Sequence, residues 1–328
     1  MRPSRKLFSS RQNKLAPAVR LASYHTPVLR EEVLAWLITS TDGVYVDATL
    51  GGGGHAESIL QRLDPTGMLV GFDADPDAIQ FAAERLSVFG ERAILVHDNF
   101  RNLSAALSLR GISQVNGILF DLGVSSYQLD EPSKGFSFRG DDRLDMRMDP
   151  SQSLNARAVL NYYDEAELAE LLWTYGEERA SRSIARAVVR QRTDTPLETT
   201  GELVTLVRGV VGERFLIKTL ARVFQAIRIE VNGELGNLTD GLAQAVNVLK
   251  PGAHVVVISY HSLEDRIVKE TFKHEAALFE PSGNKLVPDK VLEPKLRILT
   301  KKPIGAAEEE SQLNPRSRSA KLRAAEKL

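Results

Sequence analysis

The chain has 328 residues, 43% hydrophobic and 26% charged, with a formal net charge of −1, so it is a globular composition with length for one large domain or two smaller ones. The absence of cysteine excludes disulfides, thiolate metal sites and cysteine nucleophiles, and fits a reducing compartment such as the cytoplasm. No apolar run reaches the roughly 20 residues of a membrane span, and near-zero net charge confines any nucleic-acid contact to local basic patches.

Residues 1–24 carry Arg2, Arg5, Lys6, Arg11, Lys14 and Arg20 without an acid. A disordered solvated tail, an organelle transit peptide and an arm that grips RNA phosphates all fit. Val44 to Leu50 then reads as a strand, followed by a turn and helix over Gly51 to Leu63. "GMLVGFDAD" (Gly67 to Asp75) is a second strand, and Pro76 opens the helix that continues through Asp77 to Leu86. "AILVHDNF" (Ala93 to Phe100), "GILFDLG" (Gly117 to Gly123) and "HVVVISY" (His254 to Tyr260) are three more strands, the last after a Lys250-Pro251-Gly252 turn signal. Short buried runs joined by helices predict a parallel sheet covered on both faces. Strands four and five are separated by roughly 130 residues, far more than one crossover requires. Tyr162 to Arg192 and Gly201 to Val211 read helical, which predicts an inserted helical subdomain over 131–214. The helix through Ala221 to Leu235 is expected to return the chain to the sheet. Glu280 to Pro294 reads as a loop, and Lys295 to Pro303 and Ser319 to Lys327 as final strands. The sheet domain would then comprise 25–130 and 215–328.

"YVDATLGGGGHAES" (Tyr45 to Ser58) places four glycines at the carboxyl end of the first strand, where open parallel sheets bind ligands. Without Cβ atoms the backbone can approach a ligand closely. The loop lacks the Gly-Lys-Ser/Thr ending of a nucleoside-triphosphate loop. Gly51, Gly53 and Ala56 do satisfy the dinucleotide pattern, with Asp73 about 20 residues on. S-adenosylmethionine is the competing ligand. It is cationic, so Asp47 would favour it, Asp73 would accept from its ribose hydroxyls, Asp98 or Asn99 would meet the adenine edge, and Phe100 would cover its face. Asp121, ending strand four, would lie where the methyl group leaves. Singly, these residues also read as caps and core.

Longer stretches carry a resemblance. "HTPVLREEVL" (His25 to Leu34), "VDATLGGGGH" (Val46 to His55), "FDADPDAI" (Phe72 to Ile79), "LFDLGVSSYQLD" (Leu119 to Asp130), "KGFSFRGDDRLDMRMD" (Lys134 to Asp149), "YGEERASRSIARAVV" (Tyr175 to Val189), "FQAIRIEVNGEL" (Phe224 to Leu235), "ISYHSLEDRIVK" (Ile258 to Lys269) and "NPRSRSAKLRAAEK" (Asn314 to Lys327) run in one order. The chain resembles the ribosomal RNA small subunit methyltransferase H family, also called MraW. The resemblance implies a Rossmann-like class I methyltransferase sheet with a helical insertion. The implied activity is methyl transfer from S-adenosylmethionine to the exocyclic N4 of a decoding-site cytidine in 16S ribosomal RNA. Donor-binding positions carry over to Gly53, Gly54, His55, Asp73, Phe100, Asp121 and Gln128; His55 and Gln128 rest on the resemblance alone. Relatives often carry Arg where this chain has Gly52, and many have a His-Pro pair before "FQA", where this chain reads "IKTLARVFQA". The basic extension is outside the shared pattern.

Cytosine N4 is a weak nucleophile, so an acceptor for its hydrogen helps, as does in-line placement. Many amino-group methyltransferases use an Asp/Asn-Pro-Pro-aromatic motif there; this chain has Asp121-Leu122-Gly123-Val124, and Asp121 is the expected acceptor. No metal is required, and no ligand cluster stands out. A flipped base is expected, with RNA contacts from the insertion. Arg179, Arg182, Arg186 and Arg190, spaced three, four and four apart, share a helix face that either grips phosphates or pairs with Glu177 and Glu178. Ala180, Ile184 and Val188 would pack inward. Arg316, Arg318, Lys321 and Arg323 form a second patch. Phe136 and Phe138, among Lys134, Arg139 and Arg143, either stack on bases or anchor a loop. Competing readings are a nicotinamide-dependent oxidoreductase and a non-catalytic ribosome-assembly factor. The oligomeric state stays open.

Overall fold

A computed structural model describes residues 27–280, 282–283 and 288–328. The basic segment 1–24 lies outside the described residues. A helix α1 (Arg30–Leu37) leads into β1 (Val44–Asp47), α2 (Gly54–Arg62), β2 (Met68–Asp73), α3 (Pro76–Leu86), β3 (Ala93–His97), α4 (Leu103–Ser108) and β4 (Val115–Asp121). Helix α3 starts as its sequence dictates: Asp75 accepts from the Asp77 amide and Pro76 fills the first turn. After β4 come α5 (Ser126–Asp130), α6 (Ala156–Tyr162), α7 (Glu165–Thr174), α8 (Ser181–Asp194), α9 (Thr200–Val211), α10 (Leu216–Asn232) and α11 (Glu234–Val248). Strand β5 (Leu249–Ser259) and α12 (Ser262–Glu275) follow, then a two-stranded ribbon of β6 (Phe279–Glu280) and β7 (Lys290–Val291), and finally β8 (Leu296–Ile298) and β9 (Lys321–Lys327).

The main sheet runs β3-β2-β1-β4-β5-β9-β8. Strands β1 to β5 are parallel, and β9 is antiparallel to both β5 and β8. Order therefore reverses at β1 and β4, whose carboxyl ends lie side by side with Asp47 opposite Leu119. One face is covered by α1, α2 and α3 through Val33, Leu37, Ile59 and Leu86. The other is covered by α4, α11 and α12 through Leu107, Leu242, Val246 and Phe272.

The helical region has its own hydrophobic cluster, which runs from Phe136 to Val231 and so past Arg214. Helix α10 belongs to it through Leu220, Val223 and Ile227. The expected continuous helix to Leu235 is instead broken at Gly233 (φ +60°), and α11 makes the return to the sheet. The expected run Tyr162 to Arg192 is two helices. Between them Gly176 sits so close to the Leu172 and Arg222 carbonyls that a Cβ would come within 2.7 and 2.8 Å of them. The Lys250-Pro251-Gly252 signal does not end an element; it is absorbed into β5 as an irregularity where the β4 register jumps from Val115↔Leu249 to Gly117↔His254.

Candidate active site

A cavity of about 400 Å³ opens at the carboxyl ends of the parallel strands. Its floor is the glycine loop, tied between strands by Ala48 N–H to the Leu119 carbonyl and Leu50 N–H to the Phe72 carbonyl, both 2.8 Å. Gly52, Gly54 and His55 line it. Gly53 does not: at φ +77° it starts α2 and backs onto Ala82 of α3, where a Cβ would sit 3.4 Å away. Its part is to turn the backbone.

Asp73 reaches the cavity from β2. Its two oxygens accept from the Gly51 and Asp75 amides at 2.8 and 2.9 Å, and each keeps a lone pair. Burial pushes its carboxyl up to about 6 against those hydrogen bonds. Asp47 lies behind the wall rather than on it, 1% exposed. Its Oδ1 accepts from Thr49 N–H at 3.2 Å, and Oδ2 has no partner. Burial pushes Asp47 up to about 7, while His55 works in the opposite direction.

Asp121 enters from β4 with its Oδ1 taking the Tyr260 hydroxyl at 2.8 Å and its Oδ2 3.5 Å from His55 Nε2. Phe100 packs edge-to-face on Phe120, centroids 5.5 Å apart, and against Gly241, where a Cβ would come within 2.6 Å of the ring. Its remaining surface lines the cavity beside Asn99. Asp98 instead accepts from Asn99 N–H and the Asn102 amide. Gln128 lines the cavity, but its amide is engaged: Oε1 accepts from Ser125 N–H, and Nε2 donates to Asp75 at 2.8 Å.

The far wall went unread from sequence. Arg228 forms a two-pronged pair with Glu234, both contacts 2.8 Å. His261 and Glu264 sit beside it, and with Glu234 they bring three ligand-type atoms within 4.8 Å of one another. Arg228 already supplies the cation for Glu234, so an ion-paired wall is the better account of this cluster. Among the described residues, the buried side-chain polar atoms without a hydrogen bond are Asp47 Oδ2, His55 Nε2 and His261 Nε2. His55 and His261 line the cavity, and Asp47 lies behind its wall. Periodicity has no signal for such a wall, because its members are turn and helix-end residues brought together by topology.

Cations also arrive from a distance. The loop itself has none, but Arg85 of α3 donates to the Gly52 carbonyl at 3.0 Å and pairs with Glu57. Lys134 bridges Asp75 and Asp77 at 2.7 and 2.9 Å. On α8, Arg182, Arg186 and Arg190 are exposed, while Ile184 and Val188 are buried. Their expected partners are taken elsewhere: Glu178 faces Arg222 and Glu177 faces Arg266, while Arg186 meets Glu165. The second patch shrinks, because Asp265 holds Arg323 at 2.7 Å and Lys321 at 3.6 Å. Phe136 is buried and Phe138 packs on Phe224, so both anchor the helical cluster.

Numbered within the sheet, the strands lie 3-2-1-4-5-7-6 with only the seventh antiparallel, and the cavity opens at the order reversal. That arrangement defines a class I methyltransferase fold. The chain belongs to the MraW methylase family, whose model matches residues 22–328. It is 50% identical over 308 residues to the ribosomal RNA small subunit methyltransferase H of Carboxydothermus hydrogenoformans, covering 93% of this chain and 98% of that protein. It is 46% identical over 310 residues to the enzyme of the same name from Geotalea uraniireducens, covering 93% and 99%. Among solved structures, an rRNA methylase from Streptococcus thermophilus is similar at TM-score 0.40 and 12% identity, over 91% of this chain and 93% of that one.

Proposed function

We propose that the protein transfers a methyl group from S-adenosylmethionine to the exocyclic N4 of a decoding-site cytidine in 16S ribosomal RNA of the small ribosomal subunit. The carrying observation is the convergence of Asp73, Phe100 and Asp121 from three strand ends on one cavity. Membership of a methylase family favours this ligand over a nicotinamide dinucleotide, and the names of the relatives support the RNA substrate.

The residues fit the donor. Asp73 has acceptor capacity left for ribose hydroxyls, and Phe100 offers an apolar surface to adenine. The unpartnered Asp47 oxygen is a buried acid whose ionised form a nearby cation would favour. The Gly54 backbone faces the methionine part while its missing Cβ makes room for Pro27, and His55 and Gln128 close the edges. When bound, the donor supplies an electrophilic methyl group. Asp121 accepts a hydrogen of the substrate amine, which concentrates electron density on nitrogen, and takes up its proton. The target base leaves its stack to enter, and the inserted helical region recognises RNA through the exposed arginines of α8. No helix of the described residues is long and apolar enough to cross a membrane; the assigned compartment is the cytoplasm, where the subunit is found.

The test incubates labelled donor with small subunits from a strain lacking this gene and maps the product by mass spectrometry. Label on N4 of one decoding-site cytidine is expected. Label on a ring carbon or on protein would overturn the assignment, and binding without transfer would leave an assembly factor.

A further inference from the structure

Tyr260 stands between two strands at the centre of the site. It follows β5, and its hydroxyl crosses to Asp121 of β4, donating to Oδ1 at 2.8 Å. The strands are in register there, with Asp121 opposite Ile258 and Leu122 N–H on the Ile258 carbonyl at 3.0 Å. Gly123 turns away at φ +98°, so the ring packs across the chain; a Cβ on Gly123 would lie 3.5 Å from Tyr260 Cδ2.

The backbone carrying the ring is locked. Glu264, 3% exposed, accepts from the Tyr260 and His261 amides at 2.8 and 3.3 Å. His261 Nδ1 accepts in return from the Glu264 amide at 3.3 Å. This reciprocal cap starts α12 and leaves the phenol little freedom. A carboxylate turns easily about its last torsion. Here one oxygen is pinned by the Tyr260 hydroxyl, and the other has His55 Nε2 at 3.5 Å, without a hydrogen bond. The Asp121 amide donates to Thr49 Oγ1 at 2.6 Å, which holds the main chain as well.

We propose that Tyr260 is a positioning residue for methyl transfer: its hydroxyl fixes the Asp121 carboxylate so that Oδ2 is the oxygen presented to the substrate amine. The inference rests on the reading of Asp121 as the hydrogen acceptor. The nitrogen lone pair forms the new N–C bond as the methyl–sulfur pair stays on sulfur, and the surplus proton on nitrogen passes to Asp121 Oδ2. Tyr260 keeps its own proton throughout, because burial and the Asp121 charge hold the phenol well above its ordinary range.

The experiment is a double-variant cycle on the full chain with unmodified small subunits, using Y260F, D121N and D121N/Y260F. Phenylalanine keeps the ring packing. Y260F should lower kcat about 10- to 100-fold, the worth of one hydrogen bond to a charged group. The donor KM and the calorimetric affinity for S-adenosylhomocysteine should stay within about twofold. The double variant should be no slower than D121N, since a hydroxyl that acts through Asp121 has nothing left to position. A further drop in the double variant equal to that in Y260F, or wild-type kcat in Y260F, would overturn the role of Tyr260 alone. Wild-type kcat in D121N would overturn the acceptor reading, and this inference with it.

Discussion

Replacing Asp47 by Asn should stabilise the ligand-free protein at high pH more than at low pH. Burial raises this carboxyl from 3.8 to about 7, so between those values the folded state holds a proton that the unfolded chain has released. Stability therefore falls as pH rises through the window and is flat above it. With 1.36 kcal/mol per pH unit, the raised pKa of Asp47 costs about 2 kcal/mol at pH 5, where the folded group is still protonated, and about 4 kcal/mol at pH 8, where it is ionised. Asparagine carries no such cost. Its buried amide has a penalty of its own, roughly 1–3 kcal/mol, but that is independent of pH and cancels in the comparison. Urea unfolding of wild type and D47N at both pH values should show the variant gaining about 2–3 kcal/mol on the wild type between pH 5 and pH 8. An equal difference at the two pH values would refute the assignment of the orphaned oxygen to an ionising group. The same linkage acts on binding. A cationic ligand favours ionised Asp47, so wild-type affinity for S-adenosylmethionine should climb towards pH 7 and level off, whereas D47N should bind more weakly with a flatter profile.

Asp73→Ala should weaken donor binding roughly 100-fold, the worth of two hydrogen bonds to a carboxylate, and still melt cooperatively; unchanged calorimetric affinity would move the ribose elsewhere. Lys134→Met leaves Asp75, 0% exposed, without its cation and should cost about 3 kcal/mol in urea unfolding; a loss below about 1 kcal/mol would mean that the Gln128 contact suffices. Reversing charge at Arg182, Arg186 and Arg190 together should weaken subunit binding and lower its salt dependence by about two ions, with donor affinity unchanged. An unaltered salt slope would place the RNA on another face.

The sheet was legible because its strands are short apolar runs bounded by glycine, proline and acids, and each buried strand repeats that signal. Strands β1, β2 and β3 fall within the ranges expected from such runs, while β4 starts two residues and β5 five residues earlier than expected. The helical region was legible as helical but not in its breaks. Gly176 and Gly233 look like tolerable interior glycines in sequence; only the Arg222 carbonyl beside the first and the positive φ of the second turn them into boundaries. Helix α10 covers most of the stretch expected to return the chain to the sheet. Its buried face, through Val223 and Ile227, instead completes the helical cluster. An amphipathic stripe says that a face is buried, not against what.

The site divides along the same line. Asp73, Phe100 and Asp121 could be found because strand ends are identifiable and ligands collect there. Tyr260, Arg228, Glu234 and His261 could not, since nothing local distinguishes them from core or cap residues. The charge argument at the glycine loop shows why this matters. Four glycines without a neighbouring Lys or Arg suit a cationic ligand, yet Arg85 reaches Gly52 from α3. That guanidinium is turned onto a carbonyl and Glu57, however, so its charge is spent on the loop itself. Arg228 is likewise matched by Glu234. Asp47 has no such counter-ion in contact: one oxygen is orphaned, and burial holds the group near neutrality. On the proposed reading, the preference for a cation comes less from what the loop lacks than from a buried acid beneath it whose ionised form is favoured by His55 and the Thr49 amide alone.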